Sequence, residues 1–113
     1  MELVKEFCRA AASGDLESLR NYLHQNRELI DQRDEYAPAL YWAVLRGRKE
    51  IVVYLLERGA DPNLTSAEKL TALDIARRES QIGASEEIRK AYLELADLLR
   101  AYGATHSKPK SPK

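Results

Sequence analysis

The feature that most constrains this chain is a repeat. Ala10, Ala43 and Ala76 stand 33 residues apart, and so do Phe7, Leu40 and Leu73. Gly14 and Gly47 keep the same spacing, with Ser80 in the third slot. Glu17 matches Glu50, Leu19 matches Val52, and Leu23 matches Leu56, all in one phase. A fixed period of this length marks a stack of supersecondary units in which each unit touches only its neighbours. A unit this small cannot cover its own apolar face. About three must stack before a continuous core forms.

Within each unit the periodicity is helical. In unit two, Leu40, Ala43 and Val44 form one stripe at spacings of three and four, and Gly47 breaks it. Ile51, Val52, Leu55 and Leu56 form a second stripe, which Gly59 ends as a left-handed cap. Asp61-Pro62-Asn63 is turn chemistry. Each unit therefore reads as two short antiparallel helices and a loop. The recurring alanines have a packing reason: a larger side chain where neighbouring inner helices approach would strain the stack.

These residues resemble the ankyrin repeat. The clearest match is unit two. Leu40-Tyr41-Trp42-Ala43-Val44-Leu45-Arg46-Gly47 is similar to the family's first helix, and Glu50 through Asn63 to its second helix and the start of its finger loop. Unit three opens Thr71-Ala72-Leu73-Asp74-Ile75-Ala76 and ends Ala96-Asp97-Leu98-Leu99-Arg100-Ala101-Tyr102-Gly103-Ala104. Unit one carries Ala10-Ala11, Gly14-Asp15-Leu16-Glu17 and Leu23. The resemblance implies an all-α ankyrin-repeat solenoid of three helix-turn-helix units, about 3–33, 34–66 and 67–104, with short finger loops. The Thr-Pro-Leu-His signature is intact nowhere: unit two has Pro38-Ala39-Leu40-Tyr41, and unit three has Thr71-Ala72-Leu73-Asp74. Only Thr71 and Asp74 replace part of its bracing. The first finger is also one residue shorter than the second. Both departures predict less rigid fingers and leave the stack intact.

Unit three departs most. Ala43 to Gly59 is 16 steps, whereas Ala76 to Gly103 is 27. The eleven extra residues fall around Ser80 to Lys90. Gln81-Ile82-Gly83-Ala84 reads as a loop. Ser85 reads as an N-cap, with Glu86 and Glu87 favourable in the first turn. Ile88, Ala91, Tyr92, Leu95, Leu98, Leu99 and Tyr102 then continue one long helix, about 86–102. It is expected to cap the open end of the stack, or else to offer a docking surface of its own.

Charge and composition narrow the function. Eighteen Lys+Arg balance eighteen Asp+Glu, so no strong field steers a nucleic acid to this chain. The longest apolar run, Ile51 to Leu56, is too short to cross a bilayer. Met1 to Glu6 alternate charge and apolar groups, which predicts no signal peptide at this start. The single cysteine excludes a disulfide framework and a multi-Cys zinc site. These features predict a cytoplasmic, intracellular protein. The tail, 105–113, carries three lysines, two prolines and no acid, and is expected to be disordered. Without it the remaining 15 Lys+Arg face 18 Asp+Glu, a net charge of −3.

No catalytic constellation is legible. His24 falls late in an outer helix and His106 in the tail, with no reason to meet. Cys8 takes the slot of Tyr41 and Asp74 and reads as a packed side chain with no base to activate it. The five glycines are isolated, so no phosphate loop exists. Trp42 reads as core. Tyr22 and Tyr54 read as outer-helix residues with hydroxyls at the edge. No cofactor, no metal and no small-molecule substrate are expected, and no enzyme activity.

The resemblance implies that a protein or peptide partner would bind the concave face. Its finger positions are Arg33, Glu35, Tyr36 and Ala37, then Ala67, Glu68, Lys69 and Leu70. Its inner-helix positions are Ala12, Ser13, Leu45, Arg46, Arg78 and Glu79. Tyr36, Leu45 and Leu70 are apolar where an ordinary surface carries polar groups, and Arg33, Arg46 and Arg78 stand beside them. Such a set suits apolar anchors accompanied by carboxylates. The chain is expected to be a monomeric, non-catalytic interaction module. The alternatives are self-association, or weak anionic-surface binding through the Lys/Pro tail.

Overall fold

The computed structural model of the chain describes residues 2–105. His106 and the Lys/Pro tail from 106 onward lie outside the described residues. Among those described, the order is α1 (Glu2–Ser13), α2 (Leu16–Gln25), a 3₁₀ helix (Arg27–Asp31), α3 (Ala39–Leu45), α4 (Lys49–Glu57), α5 (Ala72–Ile82) and α6 (Glu86–Ala101). The inner helices α1, α3 and α5 stack side by side with α3 in the middle, and each packs on the outer helix that follows it. The result is an all-α repeat solenoid.

The periodic residues make the core. Phe7, Leu40 and Leu73 are buried at equivalent places in the three inner helices. Ala10, Ala43 and Ala76 keep 5%, 0% and 0% of their surface, as expected at the contact between neighbouring inner helices. Leu19, Leu23, Val52, Leu56, Leu95 and Leu99 close the core from the outer helices. Gly59 takes φ +92°, and the Ala60 N–H after it reaches back to the Leu55 carbonyl at 3.0 Å. That left-handed step satisfies a carbonyl the helix would otherwise leave open.

Local chemistry starts the helices. The Asp15 carboxylate accepts from the Ser18 N–H at 3.1 Å, and the Ser85 hydroxyl accepts from the Ile88 N–H at 3.1 Å. Thr71 and Asp74 form a full capping box: the Thr71 hydroxyl accepts from the Asp74 N–H at 3.2 Å, and the Asp74 carboxylate accepts from the Thr71 N–H at 2.9 Å. The 3₁₀ helix is not visible in the periodicity. Asn26 starts it by accepting from the Glu28 N–H at 3.0 Å, and Leu29 anchors it at 1% exposure.

The insertion is built differently from the sequence reading. Gln81 and Ile82 are not loop; α5 continues through them. The reason lies at Ser80. Gly14 and Gly47 end the earlier inner helices at φ +83° and +70°, a conformation costly for a side-chain-bearing residue. Ser80 stays helical, donating its hydroxyl to the Arg77 carbonyl at 2.6 Å. Thus α5 has 11 residues where α3 has 7, and α6 has 16 where α4 has 9. The extra residues lengthen both helices of the pair.

Polar ties connect successive units. Arg48 Nε donates to the Ala12 carbonyl at 3.0 Å, and the Tyr92 hydroxyl donates to the Leu45 carbonyl at 2.7 Å. Each closes an open carbonyl at the C-terminal end of the preceding inner helix. Farther round, the Asp61 N–H donates to Asp31 at 2.9 Å, and Asn63 Nδ2 donates to the Gly103 carbonyl at 3.0 Å. No helix among the described residues is long and apolar enough to cross a membrane.

Candidate functional site

The two fingers between units are ordered by side chains other than the family's Thr and His. In the first, Arg33 and Pro38 form an isolated antiparallel bridge. Asp34 accepts from the Tyr36 and Ala37 N–H groups, each at 2.8 Å. In the second, the buried Ser66 hydroxyl accepts from Glu68 and Leu70 N–H at 3.2 and 3.3 Å. Lys69 turns this tip at φ +69°, an uncommon place for a residue with a Cβ. The Ala67 N–H donates to the Tyr36 carbonyl at 2.7 Å and ties the fingers together. Asp34 and Ser66 thus add bracing, through Asx- and Ser-type turns, to the Thr71–Asp74 box expected from sequence.

Behind the fingers lies an aromatic group. The Tyr36 ring sits 5.7 Å from Tyr41 and 5.6 Å from Trp42, and Tyr41 lies 6.4 Å from Trp42, close to edge-on. The Tyr36 hydroxyl donates to Glu68 at 2.7 Å across the fingers. Tyr41 first and the Glu68 carboxylate second hold that hydroxyl's pKa above its ordinary value. Trp42 is half-buried, and its Nε1–H is buried without an acceptor.

The residues proposed from sequence divide by exposure. Arg33, Glu35, Arg46, Glu68 and Arg78 are exposed, as are Ser13, Ala67 and Lys69. Tyr36, Leu45 and Leu70 are half-buried and packed against the core, so only part of each is available to a partner. Glu79 and Ala12 are also half-buried. Arg78 donates to Glu79 at 3.5 Å, and Lys5 of α1 pairs with Glu35 at 3.8 Å. Arg33 and Arg46 make no ion pair among the described residues. Ala37 is a correction. It is 0% exposed, because its backbone turns inward, where its carbonyl meets the Cys8 thiol at 3.6 Å, so it cannot touch a partner.

Chemically reactive groups are held apart or buried. Cys8 is 1% exposed, and burial pushes its thiol up to about 12, with the Asp34 charge adding to the effect. A thiol held protonated is a poor nucleophile and a poor metal ligand. His24 is exposed on α2. Among the described residues no three His, Cys, Asp or Glu side chains gather where a metal ion could be held. The Tyr22 hydroxyl donates to Glu6 at 3.0 Å, at the edge of the outer row.

Sequence reading missed a second feature. Leu23, His24, Arg27, Ile30, Tyr54 and Arg58 line a groove of about 330 Å³ between the outer helices α2 and α4 and the 3₁₀ helix. Part of its signal was present: Leu23, His24, Arg27 and Ile30 lie close together in sequence. The rest depends on how α4 lies beside α2.

Comparison with known proteins places the chain. A family model described as ankyrin repeats, in three copies, matches residues 7–106. The human NAD-capped RNA hydrolase NUDT12 is 38% identical over 76 residues, covering 66% of this chain and 16% of that protein. The human DNA-binding protein RFXANK is 40% identical over 68 residues, covering 58% of this chain and 26% of that protein. An L-asparaginase of Dirofilaria immitis is 36% identical over 73 residues, covering 65% and 12%. The chain thus spans about a quarter or less of these relatives. The match to NUDT12 covers only a repeat region and carries no hydrolase activity over to this chain. Repeats of this kind generally mediate contacts between proteins. Three matched copies, the stacked inner helices and the 33-residue period agree: the chain belongs to the ankyrin repeat family.

Proposed function

We propose that the chain is a non-catalytic interaction module that holds a protein or peptide segment along its inner helices and fingers. The observation that carries this reading is the composition of that face. Half-exposed Tyr36, Leu45 and Leu70 offer apolar contact, and Arg33, Arg46 and Arg78, on the same fingers and inner-helix ends, are exposed. Tyr and Arg are the side chains most often found at interface hot spots. Tied fingers support the same reading, because a surface ordered beforehand loses less freedom on binding. Glu35, Glu68 and Glu79 give the rim both signs of charge and favour a partner of mixed charge over a polyanion.

The test uses residues that the fold does not need. Arg46→Glu/Arg78→Glu changes two exposed side chains, whereas Tyr36→Ala would also disturb the fingers. Affinity capture with the wild type identifies a partner, and titration then measures both proteins. The variant is expected to keep its circular dichroism and Trp42 fluorescence while binding about tenfold or more weakly. Equal affinity for both would move the contact off this face.

A second reading, self-association, rests on exposed apolar residues around the insertion. Ile82 is 64% exposed, Leu93 50% and Ile88 44%. Solenoid ends that lack a polar outer face tend to associate. Sedimentation velocity across a hundredfold concentration range decides it: one unchanging monomer peak rejects this reading.

A further inference from the structure

The outer groove lies away from the inner-helix and finger face and has a different chemistry. Its floor is apolar: Leu23 is nearly buried, and Ile30 and Tyr54 are half-buried. Its rim carries the guanidinium groups of Arg27 and Arg58 with the His24 imidazole beside them, and no carboxylate lines it. The carboxylates adjacent in sequence, Glu28 and Glu57, are exposed and do not line it. Arg27 and Arg58 form no ion pair among the described residues. The Arg58 guanidinium lies 4.5 Å from the centre of the Tyr54 ring. Stacking uses the flat face of a guanidinium and leaves its N–H edge free for a carboxylate.

The clustering is local. The chain as a whole carries zero formal charge, so these cations do not belong to a generally basic surface. Two arginines at one apolar hollow, with no carboxylate in its lining, give it a local positive potential that favours an anionic ligand. We infer that this groove is a second docking site, for an acidic peptide segment that places an apolar side chain on the Leu23–Ile30–Tyr54 floor between carboxylates held by Arg27 and Arg58. Charge complementarity selects this occupant. The chain's own tail, 105–113, has three lysines and no acidic side chain, so it does not match this charge. A nucleic acid needs a continuous basic track along its backbone, whereas this groove is short and its volume is near the low end of ligand pockets, about 300–1,000 Å³.

The experiment titrates the ¹⁵N-labelled full chain with acetyl-Glu-Phe-Glu-amide at millimolar concentration and follows the backbone amides. Control ligands are acetyl-Gln-Phe-Gln-amide, acetyl-Glu-Ser-Glu-amide and a ten-nucleotide oligo-dT. The acidic aromatic peptide should shift the amides of 23–30 and 54–58 saturably. Either control peptide should bind about tenfold more weakly, since each lacks one of the two recognised features. Arg27→Glu/Arg58→Glu should lose those shifts with its circular dichroism unchanged, and Arg27→Gln/Arg58→Gln supplies the same test with a milder change. Three results would overturn the inference: no localised shifts at millimolar peptide, equal affinity for the Gln or Ser control, or tighter binding of oligo-dT in the same groove. Arg46→Glu/Arg78→Glu should leave this titration unaltered, which separates this site from the inner-helix reading.

Discussion

Tyr92 joins α6 to the middle unit, and its loss should be measurable. The hydroxyl donates to the Leu45 carbonyl at 2.7 Å across a half-buried contact. Removing one neutral hydrogen bond costs about 0.5–1.5 kcal/mol. Leu45 is itself half-buried, so its carbonyl regains some hydration and the full penalty of an orphaned buried acceptor is not reached. Tyr92→Phe should therefore destabilise by about 1 kcal/mol, which lowers the melting temperature of a domain this size by about 4–8 °C. Tyr92→Ala also removes the half-buried ring. Full burial of an aromatic side chain is worth about 3–5 kcal/mol on truncation, so roughly half of that is added. The assay is urea unfolding followed by two probes. Ellipticity at 222 nm reports all the helices, whereas Trp42, the sole tryptophan, reports α3 beside Leu45. Both midpoints should fall together for the Phe variant, because the bond couples unit three to unit two. An unchanged midpoint, or a helical loss that Trp42 does not register, would refute the claim that this bond joins the units.

Two further outcomes follow from the packing. Ala43 is wholly buried in α3 between α1 and α5, so Ala43→Leu should cost about 1–3 kcal/mol through overpacking. Ala43→Gly should cost about 1 kcal/mol through helix propensity, and a Leu variant as stable as wild type would disprove close approach of the inner helices. Cys8, with its thiol raised to about 12 and buried, should react with a disulfide reagent at pH 8 far more slowly in the folded chain than after unfolding. Because the unfolded thiol gives up its proton first, stability should be retained below pH 9 and decline as pH rises from about 9 towards 12, which urea midpoints across that range will show.

Much of the architecture was legible because a repeat states its geometry three times. The spacing of Ala10, Ala43 and Ala76 required a stack with close inner contacts, and the stripes in unit two required helices facing a common core. Gly59 could be read as a left-handed cap from its place at the end of an apolar stripe, and Ser85 as an N-cap from the two acids that follow it. Signals of this kind act within one turn of helix and need no distant partner.

What the tertiary structure decided was which groups meet across units. Sequence placed Ser80 in a glycine slot, but packing showed that α5 runs on through Ile82 and so carries the insertion in two lengthened helices. Asp34 and Ser66 added to the bracing of the fingers, and Ala37 turned inward, because backbone hydrogen bonds there are closed by whichever side chain can reach. The bonds from Arg48 to Ala12 and from Tyr92 to Leu45 span 36 and 47 residues, and the outer groove draws on three elements. Periodicity in one dimension sets which face of a helix is apolar. It does not set how far a long polar side chain reaches over the neighbouring unit, and that reach determines which carbonyls are closed and which arginines remain free to bind.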